Sequence, residues 1–474
     1  MSENHESSKV KNLFYTLNAN IISLLAGVLA TFFIPKMLSI ESYAYFKLFT
    51  FYLGYIGIFH FGFCDGIYIK YGNYDYEDLP KKKFRTYFRF LLILEIAVAL
   101  ILSVILTGAT NNPERKIIFI FLAINLIIQN LICYFDYISQ ITKRFKNYSF
   151  NLIIAKTIYI LGIISYFFVN KNNALYFILL QTLVNLIIFF IYVRQYKDLI
   201  VGKKESFKSI KSDIKENFFV GFLVMIGNFM GIFIIGVDRF CVDKFFTIDD
   251  FAMYSFAASL LAMFYLIINA ITMFIYPYLS RSSNDDIKNN YVKLKRFIFM
   301  IVGFSLIAYF IFKIIVIKFI PKYTNALRIT EIIFPTILIN AQINVVSANF
   351  YKTLKLQKDY TINNILAGII AIVTIIIAII SFKTVIAVAY SSLIAFYLWG
   401  LYSDFYFMRK FKINLFSIHA LEFVVIFIFL LVTKNFNWYS GMLIYFIVFL
   451  LILILFFRDD IKKLLSLVNY KRRC

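Results

Sequence analysis

The sequence predicts an all-α, polytopic membrane protein of 14 transmembrane helices, and three observations lead to that fold class. The first is composition: 61% of residues are hydrophobic, 20% aromatic and 16% charged, with mean hydropathy +0.78, far more apolar than a water-soluble globule. The second is the recurrence of apolar runs of about 20 residues, long enough at ~1.5 Å per residue to cross a hydrocarbon core. The third is sidedness. With the N-terminus inside, 34 of the 49 Lys and Arg residues fall in inner segments, nine in outer loops and six within spans. That asymmetry requires an even span count and places both termini in the cytoplasm.

The elements follow in order. The first run, 13–35, comes after a polar start, MSENHESSKVK, that lacks a small-residue cleavage pattern and reads as retained. Runs 43–67, 84–108, 117–140, 149–169 and 174–193 complete a first set of six. A basic stretch, 194–216, then separates them from 217–241, 251–279, 295–317, 326–351, 361–382 and 385–407. The break between the last two rests on Ser381, Lys383 and the length of the apolar run. Runs 414–433 and 438–457 remain, ahead of a basic tail. Helices are expected throughout, because an open sheet edge leaves backbone groups unpaired in lipid.

An internal echo organises these spans. The stretch IPKMLSIESYAYF at 34–46 returns as VDKFFTIDDFAMY at 242–254. Lys36, Ile40 and Ala44 recur as Lys244, Ile248 and Ala252, with Ser39, Glu41, Tyr43 and Phe46 replaced in kind by Thr247, Asp249, Phe251 and Tyr254. Six spans separate the copies, so both face the same side, as in a parallel repeat. The predicted organisation is an N-terminal lobe over 1–193, a cytoplasmic linker over 194–216 and a C-terminal lobe over 217–408. Residues 409–474 hold two extra helices and the tail. Two such six-helix lobes commonly enclose a midplane cavity and rock about it in alternating access.

Several function classes are excluded at this stage. The formal charge of +23 is spread over eight inner segments, where it faces an anionic leaflet, so nucleic acid is not the expected partner. Cys64, Cys133, Cys241 and Cys474 are widely spaced and His5, His60 and His419 share no ligand spacing, so neither disulfides nor metal are expected. No GxxxxGK[ST] occurs: Gly202-Lys203 lacks the following Ser or Thr. No Ser/His/Asp set can be nominated, and no outer loop is long enough for a catalytic domain.

Short motifs add a family resemblance. Pro35-x-Met37-Leu38 with Tyr43, Tyr45 and Phe61-Gly62-Phe63 resembles the opening of the polysaccharide-export flippases. These form the Wzx-like branch of the exporter superfamily that also contains multidrug and peptidoglycan-precursor flippases. Asp238-Arg239 and the run Phe251-x-x-Tyr254-Ser255-x-Ala257 are similar to that family's Asp-basic pair and Gly-x-Tyr-x-x-Ala run, with Phe251 in place of Gly; Pro277 and Asn363-Asn364 also match. The likeness runs from about residue 13 to 460. It implies a flippase, not an enzyme, in the bacterial cytoplasmic membrane, moving an undecaprenyl-pyrophosphate-linked oligosaccharide between leaflets. The implied coupling ion is H⁺ or Na⁺, with no other cofactor. The implied partners are the lipid-linked substrate, membrane lipids, and the polymerase and glycosyltransferases of the same route. A multidrug-type cation antiporter and a membrane glycan polymerase are the alternatives.

Polar groups inside the spans supply the candidate site, since charge at membrane depth is costly. Lys47, Thr50, Gly54 and Asp65 fall on one face of a straight second span, and Asn125, Gln129 and Asp136 repeat the pattern in the fourth. Asn340, Asn344 and Ser347 form a stripe in the tenth, readable as cavity lining or as interhelical glue. Lys156 and Glu95 lie deepest; they either pair with each other, or Lys156 joins Lys47, Arg89 and Arg239 as donors to the pyrophosphate implied by the resemblance. Asp65, Glu95 and Asp136 are the ion-coupling candidates. Glu422 and His419, outside the repeat, are weaker ones.

Overall fold

The computed structural model describes residues 2–72, 74–169, 172–279 and 284–462. The side chains of the first 17 residues, Arg281 and Pro277, and the basic tail beyond Lys462 with Cys474, lie outside what is described. Among the described residues there is helix and no strand. Among the same residues twelve helices are long and apolar enough to cross a bilayer, and two bent pairs pass the same test; each pair taken as one span gives the expected 14. The chain divides into two compact units, residues 1–233 and 234–474.

In the first unit α1 (Ser2–Met37) ends at the echo sequence, and α2 (Ile40–Leu53) begins there. Ser39 caps α2, its hydroxyl accepting the Ser42 N–H at 3.2 Å. The second span then breaks: a 3₁₀ turn (Ile56–His60), Phe61 at φ 50° and Gly62 at φ 82° lead into α3 (Phe63–Tyr71) through a 60° bend. α3 can sit there because small residues let backbones touch. A Cβ on Gly62 would lie 2.5 Å from the backbone of Gly221, and one on Gly66 would lie 2.0 Å from the Asn217 carbonyl oxygen. Helices α4 (Lys81–Gly108), α5 (Pro113–Ile141), α6 (Phe145–Ser165) and α7 (Ala174–Gln195) complete the bundle, α6 against α1 and α5 against α4 and α7. Their buried aromatic core includes Phe135, stacked on Tyr192 and Tyr196 with ring centres 5.7 Å apart.

The linker is docked, not loose. Asp198 takes the Lys81 ammonium at 2.9 Å and the Tyr76 hydroxyl at 2.5 Å, and Arg85 donates to the carbonyls of Asp198 and Lys203. At the start of α8 (Phe207–Phe245), Asp213 binds Lys83 at 2.6 Å and Lys70 at 2.9 Å, and Glu216 also binds Lys70.

In the second unit α8 closes on the returning echo. Thr247 and Asp250 cap α9 (Ile248–Leu279) reciprocally, hydroxyl to N–H at 3.2 Å and carboxylate to N–H at 3.2 Å. The recurring Ser/Thr therefore encodes the same capped turn twice, and Tyr43, Phe251, Ala44 and Ala252 are all fully buried just after it. Next come α10 (Asn284–Ser305) and α11 (Ala308–Phe319), which together make span nine. The tenth span bends by 40° at Phe334–Pro335, between α12 (Ala326–Ile333) and α13 (Thr336–Ala341), because proline cannot donate to the helix ladder. A π-helical turn (Gln342–Ser347) and α14 (Ala348–Thr353) finish it. Helices α15 (Gln357–Phe382), α16 (Val385–Phe411), α17 (Phe416–Asn435) and α18 (Trp438–Phe456) follow. Four turns end on lysines in the left-handed region, Lys143, Lys355, Lys383 and Lys412, at φ 51–58°.

Candidate functional site

Three helices of the first unit, α5, α6 and α7, surround a polar cavity of about 380 Å³. Gln129 and Asp136 enter it from α5, Asn151 and Lys156 from α6, and Gln181 and Asn185 from α7, with Tyr148, Tyr159 and Tyr192 between them. The 3.6-residue period places these groups on one side of each helix, while α5 turns its aromatic face to the core. The Asp136 carboxylate accepts a short hydrogen bond from the Tyr192 hydroxyl. Asn151 and Gln195 exchange two hydrogen bonds, at 2.9 and 3.0 Å. Lys156 has no ion-pair or hydrogen-bond partner among the described residues. The cavity thus holds a carboxylate already engaged by a hydroxyl and an ammonium facing open space.

The structure brings Gln129, Asp136 and Lys156 together, and it disperses the other sequence candidates. Lys47 lies over the Tyr43 and Phe46 rings, 5.4 and 5.8 Å from their centres, and Thr50 donates to the Lys47 carbonyl at 3.2 Å. Asp65, beyond the break, accepts from Tyr137 at 3.2 Å and faces His60 Nε2 at 3.7 Å. The single face expected for span two does not exist, because the bend at Phe61-Gly62 changes its direction. Arg89 is exposed on α4 and does not line the cavity. Arg239 belongs to the second unit.

Of the two readings open for Lys156 and Glu95, their mutual ion pair does not form. Glu95, fully buried, accepts from Asn130 Nδ2 at 2.8 Å, and the same amide reaches the Ile56 carbonyl at 3.2 Å, tying α4 and α5 to the broken span. Asn125 is drawn into an amide–hydroxyl knot instead of the cavity: it donates to Thr182 at 2.8 Å and accepts from Asn185 at 2.8 Å.

In the second unit the polar stripe of span ten divides. Asn344 donates to its neighbour Asn340 at 3.1 Å, whereas Ser347, at the end of the π turn, meets Tyr291 at 3.1 Å and Asp404 at 3.4 Å. Asp238 accepts from Tyr254 at 2.8 Å and Ser392 at 2.9 Å, which joins two positions singled out by the family resemblance. Sequence reading missed the group around Asp404. It counted Lys295 among the five cations of the inner segment 281–296, but Lys295 is 1% exposed inside α10, its ammonium 2.7 Å from Asp404 Oδ1. Tyr291 also donates to that oxygen at 2.6 Å, and His419 stands between Asp404 and Glu422, at 3.1 and 3.0 Å. The available signal was Asp404 itself, a carboxylate within an apolar run that demands a cation.

Comparison with known proteins agrees with this architecture. Residues 9–283 match the family described as "Polysaccharide biosynthesis protein". The fold is similar to that of a lipid II flippase MurJ in an inward closed conformation, with TM-score 0.69 at 17% identity over 95% of this chain and 100% of that one. It is also similar to an inward-facing multidrug resistance MATE family transporter of the MOP superfamily, with TM-score 0.63 at 9% identity over 83% of this chain and 94% of that one. No match to a curated protein was found by sequence.

Proposed function

Because the chain belongs to the polysaccharide biosynthesis protein family, a family of multi-pass membrane proteins here built on a transporter fold, we propose that it is a flippase for a lipid-linked oligosaccharide. It moves the pyrophosphate-borne glycan from the inner to the outer leaflet of the bacterial cytoplasmic membrane, with both termini inside and an ion gradient, H⁺ or Na⁺, as the drive. The observation that carries the reading is the α5–α7 cavity. Its amides and phenols suit sugar hydroxyls, its volume falls in the range of small-ligand sites, and the one cation in its lining, Lys156, has no ion-pair or hydrogen-bond partner among the described residues. An ammonium held there is costly unless a ligand supplies negative charge, and a phosphate does so. A cavity for cationic drugs would instead leave the carboxylate open; here Asp136 is occupied by Tyr192. The isoprenoid tail stays in lipid, since transferring it into a polar cavity gains nothing.

The test is leaflet transfer of a lipid-linked oligosaccharide in proteoliposomes. Transfer by the intact protein, lost in Lys156→Met at unchanged folding, is the expected result. Efflux of cationic dyes without glycan transfer would favour the antiporter and overturn the assignment.

A further inference from the structure

The group around Asp404 takes no part in that cavity and calls for its own explanation. Lys295, Asp404, His419 and Glu422 are each at least 95% buried, on three different helices, α10, α16 and α17. Asp404 Oδ1 is fully committed, with Lys295, Tyr291 and Ser347 all donating to it. The imidazole of His419 is placed otherwise. Its Nδ1 is 3.0 Å from Glu422 Oε2, and its Nε2 is 3.1 Å from Asp404 Oδ2, a charge contact not aligned as a hydrogen bond.

A neutral imidazole has one N–H and one lone pair. If Nδ1–H serves Glu422, the Nε2 lone pair lies 3.1 Å from a carboxylate oxygen, like against like. The charge count gives the same answer. Two carboxylates against one ammonium leave a net negative charge sealed from water, and one further proton makes the group neutral. Glu422 Oε1, buried and without a hydrogen bond, marks where the shortage of donors falls.

We propose that Lys295, Asp404, His419 and Glu422 form a proton-binding site that fastens span thirteen to spans nine and twelve. The ligand is H⁺. It is taken from water as a new N–H bond on Nε2, and on release that bond breaks and the proton returns to water. With the proton bound, α17 is drawn to α16 by the His419–Asp404 charge contact, and through Asp404 to Lys295 on α10. Without it, the ring and Asp404 repel, and the least costly relief is for α17 to move away. His419 sits one turn into α17, about 4.5 Å from the helix start, so the site lies near one end of the span.

Other charged groups on neighbouring elements do not answer His419. α18 carries no Asp, Glu, Lys, Arg or His. On α12, Arg328 and Glu331 gather with Lys313 and Lys434 at the far end of α17, where Lys313 donates to the Thr433 carbonyl at 3.2 Å. That point is 14 residues, or about 21 Å, from His419. From α16, the Tyr397 hydroxyl reaches only the His419 carbonyl, at 3.1 Å.

The test needs no substrate, so its result stands apart from the transport reading. Hydrogen exchange of the full-length protein in lipid nanodiscs is followed over residues 416–435, corrected for intrinsic rates, from about pH 5 to about pH 10, a range spanning imidazole titration under most surroundings. In the intact protein, protection of this segment should fall roughly tenfold or more across one proton-linked transition, while 438–456 stays level. His419→Gln, which cannot be charged, should remove the transition. Glu422→Gln leaves the group neutral without the extra proton, so it should shift the midpoint by about one pH unit or more, a tenfold change in proton affinity; this variant carries the test if the first does not fold. Flat protection in the intact protein, or an unmoved midpoint in Glu422→Gln, would overturn the proposal.

Discussion

Replacing Gly66 by alanine would place a methyl group inside a neighbouring backbone. The added Cβ would lie 2.0 Å from the Asn217 carbonyl oxygen and 2.6 Å from Asn217 Cα, where ordinary contact begins at 3.4 Å. The obstruction is main chain, so no side-chain rotation relieves it, and α3 and α8 must part by about 1.4 Å. A gap of 0.5–1 Å already forfeits a quarter to a half of the dispersion energy across a contact. Overpacking absorbed by side chains costs about 1–3 kcal/mol, so the expected loss is about 3 kcal/mol or more. The control is Gly231→Ala, in the interior of α8 with nothing within 4 Å of its Cβ, which should gain up to about 1 kcal/mol from helix propensity. Melting curves in one detergent, read by tryptophan fluorescence, compare the two. If Gly66→Ala melts no lower than Gly231→Ala, the backbone contact at the broken span is not what holds α3 in place.

Lys156→Met should cut glycan transfer roughly tenfold or more, the loss of one charge-assisted hydrogen bond of about 1.5–3 kcal/mol, with melting unchanged or raised. Asn130→Leu strands the buried Glu95 carboxylate at a cost of about 1–3 kcal/mol or more, and Glu95→Met in the same chain should restore most of the lost melting temperature; failure of that rescue would remove the Glu95–Asn130 bond from the account. The linker should respond to pH at the acid edge. Burial raises the pKa of Asp213, but hydrogen bonds from Lys83 and Lys70 outweigh it and hold the carboxyl below its ordinary value. Its contribution is therefore complete above about pH 4 and is lost as pH falls through the lowered folded value. Tryptic cleavage at Lys203 and Lys204, both exposed, should be slow and level from about pH 6 to 9 and faster in Asp213→Asn; equal cleavage of both proteins would refute the clamp.

The spans were legible because an apolar run of 20 residues in a chain with this composition has few other uses. The breaks were not. Phe61-Gly62 sits inside a long, mostly apolar run, and the approach of α8, some 150 residues later, explains why the helix must stop there. Asn125 and Gln129 look equivalent at one-turn spacing, yet Asn125 faces Thr182 and Asn185 while Gln129 faces the cavity; which neighbour each meets is set by packing. Lys295 was misread because it stands in a run of basic residues ending at Arg296, and Tyr291 and Asp404, 113 positions apart, join it only in three dimensions. Periodicity reports which face a residue occupies; it does not report what stands opposite.

The left-handed lysines have a consequence for biogenesis. Glycine at such a turn would relieve roughly 1 kcal/mol of backbone cost each, yet Lys143, Lys355, Lys383 and Lys412 all keep a long charged side chain there. Three of these lie in segments whose cations are expected to be retained inside during insertion. On that expectation the nascent chain tolerates slightly poorer corners and keeps cations that help set which way round it threads. Swapping the three for glycine would give a sturdier protein, and one more often inserted upside down.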